Sequence, residues 1–179
     1  MLIEDLKATL VVRYSWLDSE ILTHANSYYL TASTIYETLD DQVHSLYPLL
    51  TLLGLSAELF LKAFSLTVGE LFSVPATSKG SLLKKTVSTS NRNSHNLGKL
   101  LRHYSTRDND LYCYLILRYK DDTGRALQED LSDYSMVFVD ARYIFECDGP
   151  TKRKYSSDVS VIFYLVQSLY NSVTALYQN

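Results

Sequence analysis

The residues of this chain with the means to do chemistry lie in three short stretches. In LSAELFLKAF (residues 55–64), Glu58 and Lys62 stand four apart, the favourable order for a helical pair worth about 0.2–0.5 kcal/mol when exposed. Their neighbours are apolar on all sides, so both polar groups must emerge at a seam or point to a partner. HNLGKLL (95–101) begins with His95 and continues into the apolar set Leu97, Leu100 and Leu101. DARYIFE (140–146) again places opposite charges four apart, Arg142 and Glu146, while Arg92 precedes His95 with two residues between them. A histidine and an arginine brought together suit phosphoryl chemistry: the imidazole moves a proton near neutral pH and the guanidinium stabilises phosphorane charge. On the bland reading, Glu58–Lys62 is a solvated pair and His95 a capping or hydrogen-bonding residue.

Charge is unevenly spread around these stretches. Residues 71–107 contain no Asp or Glu but hold Lys79, Lys84, Lys85, Arg92, Lys99, Arg102 and Arg107, whereas the whole chain carries a net charge of -3. A basic window in an acidic protein points to a phosphate-bearing or acidic partner, with a solvated loop as the plain alternative. Only Phe72 and Tyr104 interleave as aromatics there, which argues against a stacking platform for single strands. Two cysteines, Cys113 and Cys147, cannot form a disulfide framework, no Cys/His cluster offers a metal site, and no phosphate-loop or dinucleotide motif calls for a cofactor. Both cysteines are expected as small buried apolar groups.

The elements that must position these residues are mostly helical. Apolar residues recur at helical spacing over 16–40, over 46–71 and from Val159 to Tyr177, the last preceded by Ser157 and Asp158 as cap and first-turn acid. The middle helix is so apolar that it must be buried on most sides; Gly54 within it is read as a close-packing position and Pro48 as a first-turn residue. Shorter helices are predicted over 96–104, capped by Ser94, and over 111–118. A further helix is predicted over 130–146, although Val137, Phe138 and Val139 also tolerate a strand. Residues 72–93, with Pro75, Gly80 and the run TVSTSNRNS, predict a long mobile basic loop. A second loop over 147–157 carries Lys152, Arg153 and Lys154. The expected fold is all-α, a single domain over 1–179 in which an antiparallel bundle of four to five main helices carries short accessory helices. Residues 49–61 are interrupted by Thr51, Gly54, Ser56 and Glu58, so no membrane span is expected. The acidic N-terminus lacks the pattern of a signal peptide, and a cytoplasmic location is expected.

Taken in order, SAELFLKAF, a basic connection, HNLGKLL and ARYIFE, preceded by HANSYYLTASTIYE (24–37), resemble the HEPN superfamily (higher eukaryotes and prokaryotes nucleotide-binding). The resemblance spans about residues 16–177. It implies an all-α bundle, a homodimer, and a setting in toxin–antitoxin, phage-defence or RNA-processing systems, with a nucleotidyltransferase-type antitoxin as one kind of protein partner. Many members are metal-independent ribonucleases that carry an Arg, four to six residues, then a His. Here no Arg stands at that distance before His24, His44, His95 or His103, and Arg142 is followed at that spacing by Cys147, Asp148 and Gly149.

The resulting expectation is a non-catalytic binding or regulatory module for RNA, a nucleotide or a protein. Its contact residues would be Lys79, Lys84, Lys85, Arg92, His95, Lys99, Arg102 and Arg142, with Glu58, Lys62 and Glu146 as family-like polar positions. The first alternative is a metal-independent ribonuclease whose site is reassembled from His95 and Arg142, with Arg92 as a further candidate. The second is a structural dimeric adaptor without nucleic acid, whose 15 tyrosines serve an interface.

Overall fold

The computed structural model describes residues 9–14, 18–39, 45–64, 67–72, 82–86, 94–144, 146 and 149–177. Along the chain these form β1 (Thr9–Tyr14), α1 (Ser19–Glu37), α2 (Leu46–Ala63), β2 (Thr67–Phe72), β3 (Leu82–Thr86), α3 (Leu97–Arg107) and α4 (Asn109–Thr123). Then come α5 (Leu127–Asp133), α6 (Val137–Arg142), α7 (Gly149–Ser157) and α8 (Val159–Tyr177). The class is all-α, because the hydrophobic core is assembled from helices and the residues that cap them. The three short strands pair antiparallel in the order β1-β2-β3, with Val12 opposite Gly69 and Glu70 opposite Lys84.

Helix α2 is the axis of the bundle and packs against α1, α3, α6 and α8. Leu49, Leu50, Leu53, Phe60 and Leu61 are fully buried along it, as its all-round apolar sequence requires. It runs antiparallel to α1: the Asp18 backbone N–H donates to Ala63 O at one end and Ser56 Oγ to Ala25 O further along. Tyr29 of α1 stacks on Tyr170 of α8 with ring centroids 4.7 Å apart, and Tyr36 on Phe163 at 4.0 Å, so α8 closes the other side of α1. Each interruption in the apolar α2 stretch has a partner. Thr51 Oγ1 donates to Tyr47 O, Ser56 Oγ to Ala25 O, Gly54 abuts Phe138, and Glu58 holds Lys62 and His95.

Several expectations are corrected. The helix predicted over 46–71 stops at Ala63, and the β-branched pair Thr67–Val68 with Gly69 enters β2 instead. The expected loop over 72–93 contains β3; residues 73–81 and 87–93 lie outside the described residues. The single helix predicted over 130–146 is two helices, α5 and α6. The turn between them offers the Ser135 carbonyl to the Leu97 N–H, so a tertiary bond competes with helix continuation. The loop predicted over 147–157 is largely α7, docked through Tyr155 Oη on Asp140 Oδ2 at 2.5 Å. Helix α3 is capped by Asn96, whose side chain accepts from the Lys99 N–H, while Ser94 Oγ accepts from the Asn96 N–H. Cys113 is exposed, not buried; Cys147, Trp16 and His44 lie outside the described residues. Two helices, Leu46–Ala63 and Val159–Leu176, do reach membrane-spanning length at a mean hydropathy of 1.4, the first with 61% of its residues buried inside the bundle. Length and composition alone therefore do not separate a core helix from a span.

Candidate functional site

Gly54 is where the site begins. A Cβ on it would lie 2.7 Å from Phe138 N and 2.8 Å from Phe138 Cα, so α2 and α6 approach backbone to backbone. One helical turn later on the same face comes Glu58, buried to 3% exposure. A carboxylate at such a place must be paired or heavily hydrogen-bonded. It is: Lys62 Nζ lies 2.5 Å from Oε1 and His95 Nδ1 lies 2.9 Å from Oε2. Both carboxylate oxygens are therefore committed.

His95 arrives from the segment just before α3, which is fastened by the Asn96 cap and by the Leu97 N–H to Ser135 O bond of 3.1 Å. An ionised carboxylate only accepts hydrogen bonds, so the Nδ1 facing Glu58 carries a proton, and in the neutral imidazole Nε2 keeps its lone pair. Nε2 has no protein partner among the described residues, and the side chain is 52% exposed. The imidazole is thus fixed at one nitrogen and available at the other.

Arg142 is exposed at the end of α6, and its Cζ lies 5.3 Å from the Phe138 ring centroid and 5.4 Å from that of Tyr143. The His95 ring lies 5.7 Å from the same Phe138 ring. One aromatic side chain therefore carries the imidazole and the guanidinium together within a single chain, although the two make no direct bond. Stacking leaves the guanidinium edge with its N–H donors open to an anion. The expected helical pair of Arg142 with Glu146 is absent: α6 ends at Arg142, and the exposed Glu146 is held through its backbone N–H to Tyr143 O.

Of the other proposed contact residues, Lys99 and Arg102 are both exposed on α3 and border a cavity of about 210 Å³ between α3 and α5. Lys84 and Lys85 stand on β3, away from α3 in sequence and opposite Glu70 and Gly69 in register. Lys79 and Arg92 lie outside the described residues. Among the described residues, no group of His, Cys, Asp and Glu could hold a metal ion. Sequence reasoning missed Phe138 as the shared platform, and Tyr112, Gln128, Ser132 and Ser135 as cavity walls. Only Gly54 carried a signal, that of a close-packing position without a known neighbour.

The cavity wall is anchored by an ionic knot in which a half-exposed Arg125 closes over the buried Asp130. Arg125, just after the left-handed cap Gly124 (φ 73°), donates from Nη2 to Asp130 Oδ1 at 2.6 Å and from Nε to Oδ2 at 2.8 Å. Tyr119 Oη donates to the same Oδ2 at 2.5 Å. Burial pushes the Asp130 carboxyl upward, but the hydrogen bonds from Arg125 and Tyr119 outweigh it and hold the group below its ordinary range. The Tyr119 phenol is raised, by burial first and then by Asp130. Fixing Asp130 fixes α5 against α4, and with it Gln128 and Ser132 on the cavity side.

No family model, curated protein or solved structure matches this chain.

Proposed function

We propose that this chain is a HEPN-like helical module that binds RNA or a nucleotide through phosphate, acting as a regulatory or binding partner and not as an enzyme. A homodimer in the cytoplasm, in a toxin–antitoxin or phage-defence setting, completes the reading. One observation carries it: His95, pinned by the buried Glu58–Lys62 pair, and Arg142 are both exposed and both lie against the Phe138 ring. The Arg142 guanidinium supplies donors that suit a phosphate oxygen, and the free His95 Nε2 can accept from a ribose or phosphate hydroxyl. Lys99 and Arg102 extend positive charge along α3 from that point.

A second reading has a specific observation in its favour. Nδ1 bonded to a buried carboxylate, with Nε2 unoccupied, is the orientation a proton-transferring histidine needs. With Arg142 to stabilise phosphorane charge, the site would then be that of a metal-independent ribonuclease. The adaptor reading draws on the tyrosines, yet Tyr29, Tyr104, Tyr119, Tyr134 and Tyr155 are buried in the bundle and cannot serve a surface.

The test is binding and cleavage of labelled structured RNA in EDTA by the wild type, His95→Ala and Arg142→Ala. Binding that weakens with salt, is reduced in both variants and leaves the RNA intact supports the binding module. Cleavage abolished by both substitutions replaces it with the ribonuclease. No binding and no cleavage overturns both. Light scattering reports the dimer in the same samples.

A further inference from the structure

The cavity between α3 and α5 is chemically one-sided. Lys99 and Arg102 stand on one wall with the apolar Leu101 between them, and the hydroxyl- and amide-bearing Tyr112, Gln128, Ser132 and Ser135 line the others. No carboxylate is among its described lining residues. Neither cationic side chain has an ion-pair or hydrogen-bond partner among the described residues, although Asp and Glu pair with cations elsewhere in the same bundle. Two cations without a described counter-charge at the edge of a cavity favour an anionic occupant and repel a cationic one.

Size and charge narrow the class. At about 210 Å³ the cavity falls below the roughly 300–1,000 Å³ of pockets that enclose a whole drug-sized ligand. It accommodates a phosphate with its adjoining sugar and leaves the remainder outside. A terminal phosphate monoester carries about -1.5 to -2 charges near neutral pH, matching two cations, whereas an internal phosphodiester carries one. The hydroxyl and amide lining suits the remaining phosphate oxygens and a ribose. Asn96, the residue after His95, also lines the cavity.

We infer that this cavity is a receptor for a terminal phosphate monoester, borne either by a free mononucleotide or by the end of an RNA strand. The inference rests on the reading of the adjacent face as an RNA- or nucleotide-binding surface and names its substrate class.

The test titrates the full chain with AMP and with adenosine, and with one short RNA bearing a 5′-phosphate, a 3′-phosphate or neither. AMP is expected to bind where adenosine does not, or a phosphorylated RNA end to bind about tenfold tighter than the unphosphorylated strand. A gain confined to AMP identifies the free nucleotide as occupant; a gain confined to RNA identifies the strand end. Lys99→Gln with Arg102→Gln removes the phosphate-dependent gain, and because both side chains are exposed the thermal melt stays unchanged. Equal binding with and without the terminal phosphate in both series overturns the inference. Binding of unphosphorylated RNA that depends on His95 and Arg142 reports separately on the adjacent face, so either reading can fail while the other stands.

Discussion

Replacing Gly54 by alanine tests the contact on which the site is built. In an exposed helix the change would stabilise by about 1 kcal/mol through helix propensity. Here the added methyl carbon would meet Phe138 N at 2.7 Å and Cα at 2.8 Å, and these are backbone atoms that no rotamer change can move aside. Helix α6 must therefore shift away from α2. Overpacking by one methyl group costs about 1–3 kcal/mol, and a backbone obstacle places the cost at the upper end. The net expectation is a loss of about 2 kcal/mol, which for a chain of this size lowers the melting temperature by about 4–8 °C. Because α6 carries Phe138 and Arg142, the RNA binding proposed for this face should weaken along with stability at temperatures where the variant is still folded. The assay is thermal unfolding by circular dichroism, paired with RNA titration well below the transition. A Gly54→Ala protein that melts at or above the wild-type temperature would refute the reasoning, since propensity would then outweigh the supposed α2–α6 contact.

Two further changes probe the ionic groups. Glu58→Gln should destabilise by about 2 kcal/mol, because a buried carboxylate that accepts from both Lys62 Nζ and His95 Nδ1 loses its charge. Urea denaturation reads the loss, and an unaffected variant would mean that both contacts of Glu58 are solvated. Asp130 has a folded-state pKa below its unfolded value, so its contribution is complete above the unfolded pKa and disappears as pH falls through the folded one. Asp130→Asn should therefore be less stable than wild type at neutral pH and lose less further stability below about pH 4. Parallel stability curves for the two proteins across that acid range would contradict the role assigned to the Arg125–Asp130 knot.

The sequence by itself determined the parts that depend on local periodicity. The apolar stripes of α1, α2 and α8 repeat at helical spacing for about five turns each, and a stripe that long has no other way to be buried. The same logic made Glu58 and Lys62 neighbours and marked Gly54 as a place of close approach, because i, i+4 relations travel with the helix. Tertiary structure alone decided where helices stop and which faces meet. Nothing in residues 130–146 announces that the Ser135 carbonyl will accept from Leu97, which ends one helix and begins the next. The β2 segment continues an apolar pattern that a helix also satisfies, and pairing with β1 and β3 selects the strand. His95 and Arg142 are far apart in sequence, and each is ambiguous alone. Arg142 meets Phe138 because the two stand four apart on α6, whereas His95 meets the same ring only because the segment before α3 is tied to the turn ahead of α6, a packing that neither segment encodes separately.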